Sequence, residues 1–421
     1  MIYDVIIAGA GASGLFAAAG IPARRGEHRL ILNRAGRPGL KLLMSGSGQC
    51  NLTHAGDIRE FLAHYGSNGK KIRQLLYQFS NRDLMEWFRQ RGLETVTRPD
   101  GKVFPSSMDA SRVLNLLLQE AEKNGFSLKN NVSLEKIHPA ASGCAITVSD
   151  PQGQKQTLKC RKLILACGGA SYPSTGSDGI IFPILGECGL SVREPRPCLV
   201  PVNVEHYPYA ELSGFAVPSA AVRIYPGSQR TRKCPVVQGA VLCTHRNFSG
   251  PAVLDSSRYA QNGMTLDICW LPEETEETLL ASLNSLRAGC RKQVLTVLQG
   301  FFSDDSLSES FLRVLLQRIS VKPESRYADL SGEHLKKLVR LLLCDTFTIS
   351  GTSGFRTAMA TAGGLDLSEV DLSTMSLKKF PSVYCIGETL DVDGDTGGYN
   401  LQFAFASAHC AARAISGDSA N

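Results

Sequence analysis

Six residues near the N-terminus have the types and spacing of a phosphate cradle: Gly9-Ala10-Gly11-Ala12-Ser13-Gly14, or G-x-G-x-x-G. The pattern alone is weak, but here it follows a β-branched run, Tyr3 to Ala8 (YDVIIA). It precedes a small-residue segment, Leu15 to Ala19, that reads as helix. In that setting each glycine has its own reason. Gly9 permits the tight turn, Gly11 lets a pyrophosphate approach the backbone, and Gly14 lets the helix pack on the strand. The helix N-terminus offers unpaired N–H groups and a partial positive charge to the phosphates. Pro22 should kink or shorten this helix. The second strand, Arg29 to Leu32, ends at Asn33, where an acidic residue normally grips the adenosine ribose. An amide binds a hydroxyl more weakly than a carboxylate, so a Glu at position 33 should tighten binding. The chemistry of this end of the chain is dinucleotide binding.

Later stretches bear on which dinucleotide. Leu163 to Ala166 is a buried-type strand feeding Cys167-Gly168-Gly169, and Val383 to Ile386 is another, ending at Gly387-Glu388. From Asn400 onward the chain reads as a helix opened by Gly397-Gly398. A site assembled from both chain ends is the habit of a flavoprotein of glutathione-reductase type and is unusual for an NAD dehydrogenase. Glu388 would accept hydrogen bonds from ribityl hydroxyls. The last helix would aim its positive end at the flavin N1/C2=O edge. No second G-x-G-x-x-G follows residue 14. NADPH or NADH would then dock transiently at the flavin, or the electrons would come from the substrate itself. Between Ser45 and Thr53, three small residues let the backbone approach a ligand while Asn51 and Thr53 supply polar contacts. Cys50 invites a nucleophile reading, with packing as the commoner role of such a thiol. His245, before Ser249-Gly250-Pro251, could be an acid or a substrate ligand, with structural hydrogen bonding the commoner role.

With these motifs the chain resembles the BaiN-like (YhiN) family of FAD-binding flavoproteins. The family's G-x-K-L-x-x-S-G-G-G-R-C-N-x-T-N corresponds to Gly39 through His54, and its D-G-R-x-F-P to Asp100 through Pro105. G-G-x-S-Y-P-x-T-G is intact from Gly168 to Gly176, T-H-x-x-x-S-G-P runs from Thr244 to Pro251, and G-E-x-L-D-x-D-G-D-T-G-G-Y-N-L-Q runs from Gly387 to Gln402. Gln49 and Lys102 stand where the family has Arg, and neither reproduces a bidentate guanidinium. The resemblance implies FAD as cofactor. It also implies a cofactor-binding set of Gly9, Gly11, Ala12, Ser13, Gly14, Asn33, Arg34, Lys41, Ser45, Gly46, Cys50, Asn51, Thr53, Val132, Gly168, Gly169, Gly387, Glu388, Gly397, Gly398, Tyr399 and Asn400. His245, Cys50 and Tyr399 are the candidates for the chemistry, and no metal is expected. The implied activity is hydride transfer through flavin N5. The first expectation is an NAD(P)H-dependent reductase of a conjugated C=C bond, in a uridine of ribosomal RNA or an enone of bile-acid type. The alternatives are an amine oxidase similar to aminoacetone oxidase, releasing hydrogen peroxide, and a non-catalytic FAD-binding redox sensor.

The elements that must position these residues imply an α/β fold. The expected architecture is a Rossmann-like FAD-binding domain of glutathione-reductase type with an inserted β-rich plus helical domain. A chain of 421 residues exceeds the ~250–300 at which one core stops growing, so at least two domains are expected. The FAD domain is placed at 1–190 and 345–421 and the insert at 191–344, where it would serve as a lid over the flavin. The insert's first part, 191–271, is β-rich: Val222 and Ile224 flank Arg223, and Leu266, Ile268 and Trp270 alternate with Asp267 and Cys269. Its second part, 272–344, turns helical after Pro272, with Glu273, Glu274 and Glu276 in the first turn and Leu335, Leu338 and Leu342 as a core stripe. The net charge of +6 permits an RNA partner without arguing for one. Thirteen cysteines with no C-x-x-C suit free thiols in a reducing compartment and count against a disulfide reductase. No run reaches the ~18–20 apolar residues that span a bilayer, and the N-terminus reads as a strand, so a soluble cytoplasmic protein is expected.

Overall fold

The computed structural model describes residues 1–140, 142–227, 234–302 and 307–417. The chain divides into two compact units, Met1–Pro197 with Ala358–Asn421, and Cys198–Thr357.

The first unit is built on a parallel sheet. Strand β1 (Ile2–Ala8) lies between β2 (Arg29–Asn33) and the long strand Lys155–Leu165, with Val5 to Ala8 in register with Arg29 to Leu32 and with Lys162 to Leu165. Phe126–Asn130 extends the sheet beyond β2, and Val383–Cys385 extends it beyond Lys155–Leu165, both parallel. The β-branched centres of these strands explain the arrangement. Ile6, Ile7, Leu30, Leu163 and Ile164 are wholly buried, as strands covered on both faces require. Helix α1 (Ala12–Gly20) ends before Pro22, with Ile21 already extended. It is apolar all round because it is enclosed: seven of its residues are buried. The last helix, Tyr399–Ser416, packs against it through small residues, so that a Cβ on Gly20 would stand 3.1 Å from that of Ala412. Phe16 meets Phe405 at 4.9 Å between ring centroids. First and last segments of the chain are thus neighbours across one helix pair.

The second unit is a closed antiparallel barrel of Val202–Val204, Phe248–Ser249, Val236–Cys243, Ala216–Tyr225, Thr265–Cys269 and Asp345–Thr352. Its core is continuous with the helices Glu276–Ser285, Val294–Phe301, Glu309–Arg318 and Gly332–Leu343, and Leu335, Leu338 and Leu342 are fully buried in it. The strand Asp345–Thr352 closes the barrel by pairing with both Val202–Val204 and Thr265–Cys269, so this unit continues to residue 357. The first helix starts later than Pro272 suggested. Thr275 is its N-cap in a reciprocal pair with Thr278, which leaves Glu273 and Glu274 ahead of the helix and Glu276 and Glu277 in its first turn. A buried charge joins barrel to helices: Asp345, with no exposed surface, accepts from both Arg318 amino groups (2.7 and 2.8 Å), from Tyr209 Oη (2.5 Å) and from Trp270 Nε1 (3.2 Å).

Candidate cofactor and active site

The three glycines of the first loop lack a side chain for different reasons. A Cβ on Gly9, where φ is +116°, would run into the carbonyl of Ala166, and one on Gly14 into the carbonyl of Gly9. Gly11 has an ordinary φ of −86°, and a Cβ there would meet nothing within 4 Å. The protein itself does not need a glycine at 11; the open space beside it is the cradle a ligand would fill. No side chain caps α1, so the first-turn amides over Ala12, Ser13 and Gly14 have no acceptor within the helix and can serve an anion.

At the end of β2, Asn33 donates both amide hydrogens within the protein, to Ala35 O and to Asn130 Oδ1, each at 2.8 Å. Only its Oδ1 can serve a ribose hydroxyl. Val132 N donates to Asn33 O at 3.0 Å, which holds the turn beside it. Arg34 is ion-paired with Asp178.

Glu388 is not a bare acceptor. Its Oε1 receives Ser171 Oγ at 2.8 Å and Thr361 N at 2.7 Å, its Oε2 receives Lys41 Nζ at 2.6 Å, and Lys41 also donates to Ser171 Oγ. A carboxylate has about four lone-pair sites, so capacity for one further donor remains. Gly168 and Gly169 lie over this cluster: a Cβ on Gly168 would sit 2.7 Å from Ser177 Oγ, and one on Gly169 would strike Thr361. Ser177 Oγ is buried without a partner. The sequence reading missed Ser171 as a functional contact, although it lies inside the G-G-x-S-Y-P motif; Thr361 carried no sequence signal.

The loop from Ser45 to Thr53 corrects several expectations. Ser45 Oγ donates to Leu42 O at 2.6 Å, and Cys50, with φ +61°, is fully buried. Burial pushes the Cys50 thiol up to about 12, against a smaller lowering by Ser45. A buried neutral thiol is no nucleophile, so Cys50 packs. Gly46, with φ +56°, folds the loop back so tightly that a Cβ would lie 2.8 Å from Asn51 N. Asn51 Oδ1 is buried with no hydrogen-bond partner, an acceptor awaiting a donor. Thr53 serves the fold: its hydroxyl donates to Gln402 Oε1 at 2.8 Å. Gln49 Oε1 accepts from Arg98 at 2.6 Å, and that guanidinium lies over the Phe104 ring at 4.1 Å.

At the start of the last helix, a Cβ on Gly398 would sit 2.6 Å from the Thr53 carbonyl, and Gly397 has φ +116°. Asn400 is structural: it accepts from Gly394 N at 2.9 Å and donates to Gly394 O at 2.8 Å, closing the preceding loop. The buried Tyr399 ring is stacked by His64 at 4.0 Å and by His54 at 5.4 Å. His64 Nδ1 meets Asp395 Oδ2 at 2.9 Å. Gly387, Lys41 and Glu388 therefore come together with Ser13, Ser171 and Thr361 in one region of the first unit, whereas His245 lies in the second. There it is exposed on the turn between Val236–Cys243 and Phe248–Ser249 and makes no hydrogen bond among the described residues, contrary to the structural bonding expected of it.

A family model described as the HI0933-like protein Rossmann domain matches residues 3–414. The chain belongs to this family. It is 31% identical to the ribosomal RNA dihydrouridine synthase of Escherichia coli K12 over 98% of this chain and 97% of that one. It is 32% identical to the protein of the same name from Haemophilus influenzae Rd, covering 98% of each. The 3-dehydro-bile acid delta(4,6)-reductase of Clostridium scindens is 29% identical over 97% of this chain and 98% of that one. Among solved structures, a variant of E. coli quinol fumarate reductase FrdA shares the fold at TM-score 0.51 and 12% identity, over 99% of this chain and 70% of that one. The chain is an FAD-dependent oxidoreductase with a Rossmann-like FAD-binding domain and a barrel insertion. The site fits the cofactor through the open face at Gly11, the uncapped α1, and the buried orphan oxygens of Asn51 and Ser177. Among the described residues, no helix is long and apolar enough to cross a membrane.

Proposed function

We propose that this protein is an NAD(P)H-dependent reductase of a C=C bond conjugated to a carbonyl, with a uridine of ribosomal RNA as the first substrate to test and a steroid enone as the second. One observation carries the reading. Full-length relatives with two different named substrates, the E. coli and C. scindens proteins, both bear names that describe saturation of such a bond. Neither of these relatives bears the name of an amine oxidase. A purely sensing role has no thiolate to rest on near the loop, since burial holds Cys50 and Cys167 each up at about 12.

FAD, when bound, supplies hydride transfer through N5. The chain's own residues bind and orient. The amides of Ala12, Ser13 and Gly14 and the bare face of Gly11 take the pyrophosphate, and Asn33 Oδ1 takes a ribose hydroxyl. Glu388, fixed by Lys41, Ser171 and Thr361, offers its remaining lone pair to a ribityl hydroxyl. Asn51 Oδ1 accepts from the cofactor, and the last helix presents its N-terminal dipole from Gly397-Gly398.

The experiment is to incubate the FAD-loaded protein with NADPH or NADH and either unmodified ribosomal RNA transcript or a 3-oxo-4-ene steroid. Product is read by mass spectrometry as the gain of two hydrogens. Gain on either probe supports the reading. Gain on neither, with peroxide formed from small amines instead, replaces it with the oxidase.

A further inference from the structure

Two histidines stack on Tyr399, and they differ in what their ring nitrogens do. His54 has a backbone carbonyl against each ring nitrogen, Ala55 O at 2.7 Å from Nδ1 and Asp100 O at 3.0 Å from Nε2. Among the described residues His64 uses only Nδ1, on Asp395 Oδ2, and its side chain is 38% exposed. The turn that carries it is pinned to the start of the last helix by Asp395 N donating to His64 O and Tyr65 Oη donating to Tyr399 O, both at 2.9 Å. The ring is thus held by the carboxylate at Nδ1 and by stacking on the Tyr399 face, and Nε2 has no hydrogen-bond partner among the described residues. A histidine oriented by a carboxylate through one nitrogen and presenting the other is the arrangement of a general acid–base group.

We propose that His64 is the proton donor of the reaction and Asp395 its positioning residue. This rests on the reductase reading above. A hydride added to one carbon of the conjugated bond moves that bond's electron pair onto the carbonyl as an enolate. The other carbon must then gain a proton as the enolate collapses. His64 Nε2–H supplies it, the N–H bond breaking as the C–H bond forms, and the neutral imidazole regains a proton from water. Asp395 holds Nδ1–H throughout, which fixes the ring for transfer from Nε2. The balance is substrate plus NAD(P)H plus one proton giving the saturated product plus NAD(P)⁺. The titratable groups set against His64 are Asp395 from the loop before the last helix and Tyr399 from that helix, while Tyr65 from its own turn meets the Tyr399 ring edge-on at 6.1 Å. Burial, ahead of Tyr399 and Asp395, raises the Tyr65 phenol well above its usual range, so Tyr65 stays neutral.

The test separates the two half-reactions in His64→Gln and His64→Ala. FAD content and the rate of anaerobic flavin bleaching by NADPH should match the wild type within about twofold. Reoxidation by whichever probe the wild type reduces should slow roughly 100-fold or more. Added imidazole should restore part of that rate to His64→Ala, which a structural role would not allow. Once it has given up its Nε2 proton, the neutral His64 ring should carry its remaining hydrogen on Nδ1 in imidazole nitrogen NMR of the FAD-loaded protein, and Asp395→Asn should abolish that preference. Reoxidation of both His64 variants at the wild-type rate overturns the proposal while leaving the reductase reading intact. So does slowing without rescue, accompanied by lost FAD. A wild-type protein that NADPH and NADH fail to bleach, or that reduces neither probe, removes the reading itself and the role of His64 with it.

Discussion

Gly11→Ala separates what the fold needs from what the cofactor needs. Position 11 has φ −86°, and a Cβ there touches no protein atom within 4 Å, so the folded chain accepts alanine without strain. Replacing glycine at a compatible φ stabilises by about 0.4–1 kcal/mol through the unfolded state. The methyl group would occupy the space through which a pyrophosphate reaches the first-turn amides of α1. Losing two charge-assisted hydrogen bonds at about 1.5–3 kcal/mol each costs about 3–6 kcal/mol of binding. At ~1.4 kcal/mol per tenfold, the FAD dissociation constant should rise roughly 10²–10⁴-fold. The assay is quenching of flavin fluorescence on titration of the apoprotein, with urea unfolding run beside it. Gly9→Ala is the contrast: its Cβ would meet the Ala166 carbonyl at a φ of +116°, so it should destabilise the fold itself. An FAD affinity within threefold of wild type in Gly11→Ala, or a loss of more than about 2 kcal/mol in its stability, would refute the reasoning.

Asn33→Asp should weaken FAD binding and not tighten it, because a carboxylate there forfeits both donated bonds and faces Ala35 O and Asn130 Oδ1; isothermal titration with FAD decides the sign. Arg318→Met should cost about 3–5 kcal/mol in urea unfolding, since it strips the completely buried Asp345 of its cation, and the double change Arg318→Met with Asp345→Leu should cost less than the single one. His409, stacked on Phe79 at 4.2 Å, is held down to about 4 by burial first and by Arg413 second. The unfolded chain therefore binds the extra proton between pH 6.5 and about 4, so the stability tied to neutral His409 is whole above pH 6.5 and drains away as pH falls through that window. The gap of about 2.5 pH units is worth up to about 3 kcal/mol, and His409→Phe should flatten that limb of the stability–pH curve measured by denaturant titration.

The parallel sheet and the glycine loop were legible because their causes are local: β-branched runs, glycines at fixed spacing, and a proline that stops α1. The joining of the two chain ends was legible from motif order. What could not be read were the partners of small polar side chains. Thr53 and Asn400 looked like ligand contacts, yet Thr53 bonds Gln402, far along the chain, and Asn400 closes a loop six residues away. Glu388 was identified, but its clamp of Lys41, Ser171 and Thr361 comes from three distant segments. His64 gave no signal because its meaning depends on Asp395, 331 residues on. The limit of the inserted segment was missed for a similar reason: Asp345–Thr352 reads as any amphipathic strand, and only barrel closure assigns it.

In the proposed reductase, reduced nicotinamide delivers electrons to a bound FAD and from there to a conjugated C=C bond. Mixing the FAD-loaded protein anaerobically with NADPH or NADH, then with ribosomal RNA transcript or a 3-oxo-4-ene steroid, tests it most directly. A reductase should bleach the yellow flavin within seconds and recover its colour on adding one of the two acceptors. A flavin that stays yellow with both nicotinamides, yet bleaches with a small amine and releases peroxide when air is admitted, would contradict it.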